Sequence, residues 1–229
     1  MDSKFQLKLG NGAAMHSGRY EHAAVLLAAQ RLVLVCGGWN GYDKVYDSCE
    51  LYDLPRDRWT AAPSMPQALY GHAAVADGHG TRVFIVGGTS NIVSPTNQRS
   101  VYEFNVATAK WHELAEMNEA RWAAAAILIE DEVLVCGGTQ RLVTALASCE
   151  CYDTKAPVPG WRVVSPMQQA RWGHSMVTVH GMTLIIGGST DQRLMDSVEL
   201  YDLRWNQSQL LNTTLLTACA YWNTGVVTV

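Results

Sequence analysis

Three histidines offer the most direct route to chemistry in this chain. His22, His72 and His174 each stand three residues after Arg19, Leu69 or Arg171, and Ala124 holds the same place after Arg121. Imidazoles repeated about a common axis could bind a metal ion. The simpler reading is packing between neighbouring repeats, so no metal is expected. Cysteine offers a second route. Cys36 and Cys136 share one place with Val86 and Ile186, while Cys49 and Cys149 share another with Arg99 and Val198. A disulfide or metal pair from Cys36 and Cys49 is one reading of that spacing. A thiol interchangeable with valine is more simply a small buried hydrophobe, and packed thiols are the expectation. No Gly-x-Ser-x-Gly, phosphate-binding loop or His-Glu-x2-His occurs. These residues therefore predict no catalytic group, no cofactor and no enzyme.

Binding chemistry is better represented. Arg19, Trp39, Tyr42, Tyr70, Arg121, Trp122, Arg141, Arg171, Trp172 and Arg193 lie at the ends of apolar runs or in the polar stretches between them. Arg, Trp and Tyr are the types that most often carry interface energy. With Lys44 and Arg99 added, seven cations stand against five acids, Asp43, Asp47, Glu119, Asp191 and Asp196. That balance predicts a partner protein, with an acidic peptide segment as the favoured ligand. In the competing reading Arg121 and Arg171 tie loops together, and the neighbouring tryptophans belong to the core.

The elements that must position these residues follow from a repeat. Gly37-Gly38, Gly87-Gly88, Gly137-Gly138 and Gly187-Gly188 are spaced by 50 residues, and each pair ends an apolar run. Downstream come Tyr52-Asp53, Tyr102-Glu103, Tyr152-Asp153 and Tyr201-Asp202, then Trp59, Trp111 and Trp161, each followed six residues later by Met65, Met117 or Met167. A fixed period of about 50 residues is the signature of a repeat architecture such as a propeller. The first unit divides into strands at His22–Leu27, Leu32–Cys36, Ser48–Asp53 and Arg58–Ala61, and short links make them an antiparallel meander. Residues 123–129 are rich in alanine and favour a helix locally, but their register with 171–179 predicts a strand. In the fourth unit Trp205 comes early, the tryptophan place in register falls on Leu211, and the outer strand is in doubt.

Glycine pair, Tyr-Asp, spaced Trp and then Met-x3-Arg, as in Met117 to Arg121, resemble the kelch repeat over nearly the whole chain. The resemblance implies an all-β fold, a β-propeller of kelch-type four-stranded antiparallel blades. It also implies a single domain over 1–229, with repeats at 19–68, 69–120, 121–170 and 171–220. Residues 1–18, with a strand pattern at Phe5 to Leu9, look like the end of a preceding blade, and 221–229 like the first strand of a further one. An incomplete propeller that self-associates is therefore expected. In a meander the links from second to third strand share a rim with the blade-to-blade links. The long loops 39–47, 89–98, 139–147 and 189–196 thus define a binding rim. Kelch adaptors of ubiquitin ligases use the corresponding rim, although their dimerisation and cullin-binding domains have no counterpart in these residues. The competing class is a sugar enzyme on the same fold, such as a sialic acid mutarotase. The iron-site pattern of specifier-type kelch proteins and the copper site of galactose oxidase find no matching residues.

Composition narrows the partners. The formal charge is -4 with 17% charged residues and no basic run, which argues against nucleic acid. No apolar stretch approaches the 18 residues of a membrane span. The opening Met1-Asp2-Ser3-Lys4-Phe5 lacks the build of a signal peptide, so a cytoplasmic protein is expected.

Overall fold

The computed structural model describes residues 12–93, 96–140, 144–215 and 217. Among the described residues sixteen strands form four antiparallel four-stranded sheets, each strictly in chain order. The first blade holds β1 (Ala23–Leu27), β2 (Leu32–Cys36), β3 (Cys49–Asp53) and β4 (Arg58–Ala62). The second holds β5 (Ala73–Ala76), β6 (Arg82–Val86), β7 (Val101–Asn105) and β8 (Lys110–Glu113). The third holds β9 (Ala125–Ile129), β10 (Glu132–Cys136), β11 (Cys149–Asp153) and β12 (Trp161–Val164). The fourth holds β13 (Ser175–Val179), β14 (Met182–Ile186), β15 (Ser197–Asp202) and β16 (Gln207–Thr214). Among the described residues the inner strands pack in succession, β1 on β5, β5 on β9 and β9 on β13, as an arc of blades. The strand patterns at Phe5 to Leu9 and at 221–229 lie outside the described residues.

Apolar burial between blades holds the arc together. One cluster joins Leu34 and Met65 of the first blade to Ile85 and Phe104 of the second; two more repeat this between the second and third and the third and fourth blades. The alanines of β9 are explained by that geometry. Ala125 and Ala126 are buried on the crowded inner strand, where small side chains let three blades approach, and this contact outweighs their helix propensity. The glycine pairs have a steric cause. Gly38 has φ 90°, and a Cβ there would lie 2.5 Å from the Tyr20 carbonyl oxygen, so only glycine lets the chain pass.

Strand register revises three of the repeat equivalences. Tyr52 pairs with Val33, and in the second blade the residue paired with Val83 is Phe104, so Phe104 and not Tyr102 takes the Tyr52 place. The place of Cys49 in that blade is likewise Val101 and not Arg99, because its rim loop is two residues longer. In the fourth blade the partner of Tyr201 is Ser208, so Ser208 and not Leu211 stands where Trp59 pairs with Tyr52. The outer strand β16 is present, with a shift in register opposite Ser197 and Glu199. Trp59, Trp111 and Trp161 donate their indole N–H to the carbonyls of Ala13, Pro63 and Ala115 at 2.7, 3.0 and 2.9 Å, welding each blade to the segment before it. In the fourth blade the Tyr201 hydroxyl does this, donating to the Ser165 carbonyl at 2.7 Å, and Trp205 is left 76% exposed in the turn.

Candidate functional site

The rim that carries the long loops is built on buried arginines. The Arg121 guanidinium donates to the carbonyls of Gly137 and Ser148 at 2.9 Å each and to Glu150 at 3.1 Å. Arg171 donates to Gly187 O at 2.7 Å and to Glu199 at 2.5 Å, and Arg19 to Gly37 O and Glu50 at 2.8 Å each. All three side chains are 0% exposed. Arg19, Arg121 and Arg171, expected to contact a partner, thus have buried guanidinium groups that tie the glycine-pair turn to the third strand, and the Arg121 and Arg171 backbones also bond the preceding blade. In the second blade Leu69 stands in the arginine place and Tyr102 in the glutamate place, so both members of the pair are exchanged together. Arg99 is paired with Glu116 at 2.6 Å, Arg193 is exposed, and Arg141 lies outside the described residues.

The aromatic residues behave differently. They form a continuous row across the rim: Tyr20 to Trp39 at 6.3 Å, Trp39 to Tyr70 at 5.9 Å, Tyr70 to Trp122 at 6.4 Å and Trp122 to Trp172 at 6.1 Å between ring centres. Tyr70 and Trp122 are buried, Trp39 and Trp172 half-buried, and Tyr20 exposed. A bridge between the segment before each inner strand and the glycine-pair loop sets the spacing, as in Tyr20 with Trp39 and Trp122 with Thr139. Beneath them the backbone links blade to blade. Gly71 N donates to Glu21 O at 2.9 Å, Ala123 N to Gly71 O at 2.8 Å and Gly173 N to Ala123 O at 2.8 Å. Tyr42 is fully presented on a loop that the Asn40 side chain shapes by accepting from the N–H groups of residues 42, 43 and 44.

Glu21 is a rim residue that the sequence reading missed. The residues linked to it in the backbone chain are Gly71, Ala123 and Gly173, all with positive φ, as Glu21 itself has at 50°. One blade thus places a carboxylate where the others have almost no side chain, and a comparison of these four places would have exposed it. With Tyr20, Trp39, Asn40, Gly41 and Tyr42 it lines a cavity of about 450 Å3. Its Oε2 is buried beside the Trp39 and Trp122 indole N–H groups. Burial pushes its carboxyl up to about 7, against the pull of the Trp39 and Trp122 indoles.

Two of the histidines are packed against the preceding blade. His72 and His174 lie over the glycine pair of the preceding blade, where a Cβ on Gly37 or Gly137 would meet the ring at 2.5 or 2.7 Å. Burial lowers His72 to about 4 and His174 to about 3, so both are neutral at physiological pH. Among the described residues no group of three His, Cys, Asp or Glu could hold a metal. The expectation of packed thiols at Cys36, Cys49, Cys136 and Cys149 is overturned. Cys36 bonds Cys49 and Cys136 bonds Cys149 as disulfides, each pair directly opposed on neighbouring strands with Cα atoms 4.2 Å apart. The chain returns after 13 residues to face itself in register, which places two thiols together where the other blades oppose Val86 to Val101 and Ile186 to Val198. Cys151 is a buried free thiol, pushed up to about 12 by burial.

Comparison with known proteins agrees with this architecture. Residues 21–227 match the family model described as the KLHDC2/KLHL20/DRC7 Kelch-repeats domain. Kelch-like protein 34 of Homo sapiens is 37% identical over 92 residues, covering 39% of this chain and 14% of that protein. Kelch-like protein 28 of Mus musculus is 30% identical over 130 residues, covering 52% of this chain and 22% of that protein. An F-box/kelch-repeat protein of Arabidopsis thaliana is 30% identical over 105 residues, 46% of this chain and 29% of the relative. The chain thus matches less than a third of the length of each of these relatives. The solved structure of YjhT superposes with a TM-score of 0.79 over 94% of this chain and 76% of that one, at 14% identity, a likeness of fold alone. With four meander blades, the glycine-pair turns and a family model spanning nearly all of its length, the chain belongs to the kelch-repeat family.

Proposed function

We propose that this kelch propeller is a non-enzymatic module that binds a peptide or loop of a partner protein on the rim carrying the long loops. The observation that carries this is the aromatic row opening onto the cavity beside Glu21, presented by loops on a rigid blade scaffold. Partly exposed aromatics around a concavity are what an interface uses as anchors. Of the residues first assigned to the partner, Trp39, Tyr42, Tyr70, Trp122, Trp172 and Arg193 stay in this reading. A strongly acidic partner loses its main support, since Lys44, Arg99 and Arg193 are the rim cations left accessible among the described residues. Service as a ubiquitin-ligase adaptor is a further reading, supported by a relative whose name joins an F-box to kelch repeats. The two disulfides weaken the cytoplasmic assignment, because reducing compartments keep thiols free.

Selection from a random-peptide display library on the immobilised chain tests the rim. Selected peptides should lose about tenfold in affinity, some 1.4 kcal/mol, on Tyr20→Ala or Tyr42→Ala and nothing on His180→Ala at the opposite rim. Peptides indifferent to both tyrosine variants would overturn the reading. A library that yields no binder, together with a melting-temperature rise on adding free sugars, would instead favour the mutarotase-like alternative.

A further inference from the structure

We infer that the cavity beside Glu21 receives a cationic side chain of the partner, held by the Glu21 carboxylate and the surrounding Tyr20, Trp39 and Trp122 rings. This inference rests on the rim reading and gives its ligand a chemistry. Three observations support it.

Glu21 is in no ion pair among the described residues, whereas Glu50, Glu150 and Glu199 each have an arginine. Its Oε2 is buried, and the groups that draw on the carboxylate are the neutral Trp39 and Trp122 indoles, so burial leaves its charge without a compensating cation. The groups around it are rings and not competing cations: Tyr20, Trp39 and Tyr42 line the cavity, and Tyr70 and Trp122 complete the row. A carboxylate combined with aromatic rings is the arrangement that attracts guanidinium and alkylammonium groups, through charge and through the ring quadrupole together. An acidic or neutral side chain would meet an unpaired carboxylate there.

The same geometry carries a pH dependence. Burial holds Glu21 at about 7, so its charge is present at pH 8 and mostly gone at pH 6. The titratable groups around it are Tyr20 and Tyr42, which line the same cavity, and Tyr70, whose hydroxyl burial and the Glu21 charge both push up and which is therefore neutral throughout this range. His22, one residue on, is held below its ordinary value by burial and contacts the Arg19 carbonyl. A bound cation would favour the carboxylate, so affinity should rise with pH.

The test uses the whole chain and short blocked peptides, acetyl-Gly-X-Gly-amide with X as arginine, lysine, trimethyllysine or glutamate, titrated by tryptophan fluorescence. At least one cationic peptide should bind saturably at pH 8, the glutamate peptide should not, and affinity should fall about tenfold between pH 8 and pH 6. Glu21→Gln should weaken binding about tenfold at pH 8 and abolish the pH dependence. Whichever cation binds best identifies the source as arginine, lysine or a methylated lysine, and each supports the inference. Absence of saturable binding by all three cations, or equal binding by Glu21→Gln, would overturn it. The pH series on the unaltered chain decides the matter even where the variant fails to fold. Library-selected peptides lost by Tyr20→Ala yet unaffected by Glu21→Gln and by pH would overturn this inference alone and leave the rim reading standing.

Discussion

Arg19, Arg121 and Arg171 show how one guanidinium can organise a blade. Each closes the glycine-pair turn onto the third strand through two carbonyls and a buried glutamate, all at 3.3 Å or less. Removing one partner of such a pair leaves the other charge buried. Arg121→Ala should therefore cost about 3–5 kcal/mol in urea unfolding, since Glu150 is 1% exposed. The second blade has Leu69 and Tyr102 at these two places and carries no such ion pair there. Arg121→Leu combined with Glu150→Tyr copies that solution and should recover most of the loss, because no charge is then left unpaired. A double variant no more stable than Arg121→Ala would mean that the blades are not interchangeable at this place.

At the scale of the element, the first and third blades differ from the other two by a disulfide at the rim end of their middle strands. Cys36–Cys49 closes the loop that carries Trp39 and Tyr42, and Cys136–Cys149 closes its counterpart in the third blade. A crosslink over a loop of this size is worth roughly 3 kcal/mol, mostly by restricting the unfolded chain. Cys36, Cys49, Cys136 and Cys149 should accept an alkylating reagent in denaturant only after reduction, as peptide mapping would report. Cys151 should react in denaturant without reduction and slowly in the folded state, its thiol being buried. Labelling of all four rim cysteines without reductant would remove the disulfides from the account. Cys136→Val with Cys149→Val should keep the fold, because it recreates the Val86 and Val101 pair of the second blade.

At the scale of the molecule, among the described residues the two inner blades of the arc have a neighbouring blade on both faces and the two outer ones on one face. Val83 and Val133 are buried on the middle strands of the second and third blades, while Val33 at the matching place of the first is half-exposed. Leu184 and Ile186 are half-exposed in the fourth blade, where Leu134 and Cys136 of the third are fully buried. Partly open apolar sheet faces favour association with other surfaces. The 229-residue chain should therefore self-associate in solution, with a light-scattering mass above the 25.1 kDa of one chain. A monomer at high micromolar concentration with a compact scattering radius would show that those faces are satisfied within one chain.

Much of this was legible in the sequence because it is local and repeated. The glycine pairs at 50-residue spacing mark the four turns, the apolar runs before them mark the middle strands, and short links leave a meander as the available order. The family resemblance rested on the same features. The side-chain environments were not legible, because they depend on which residues of different strands and blades end up opposed. Phe104 and Ser208 take places first given to Tyr102 and Leu211 because cross-strand pairing, and not counting along the chain, sets equivalence. Cys36 and Cys49 read as valine substitutes until register puts them face to face. Arg121 and Arg171 read as contact residues until packing surrounds them, for a charged type is ordinarily exposed. Glu21 carried no motif at all; its character comes from Trp39 and Trp122, and the Trp122 indole reaches it across Gly71, where a Cβ would lie 2.1 Å from Nε1. Periodicity is written in the order of residues, whereas burial, pairing and charge are properties of neighbours that only folding brings together.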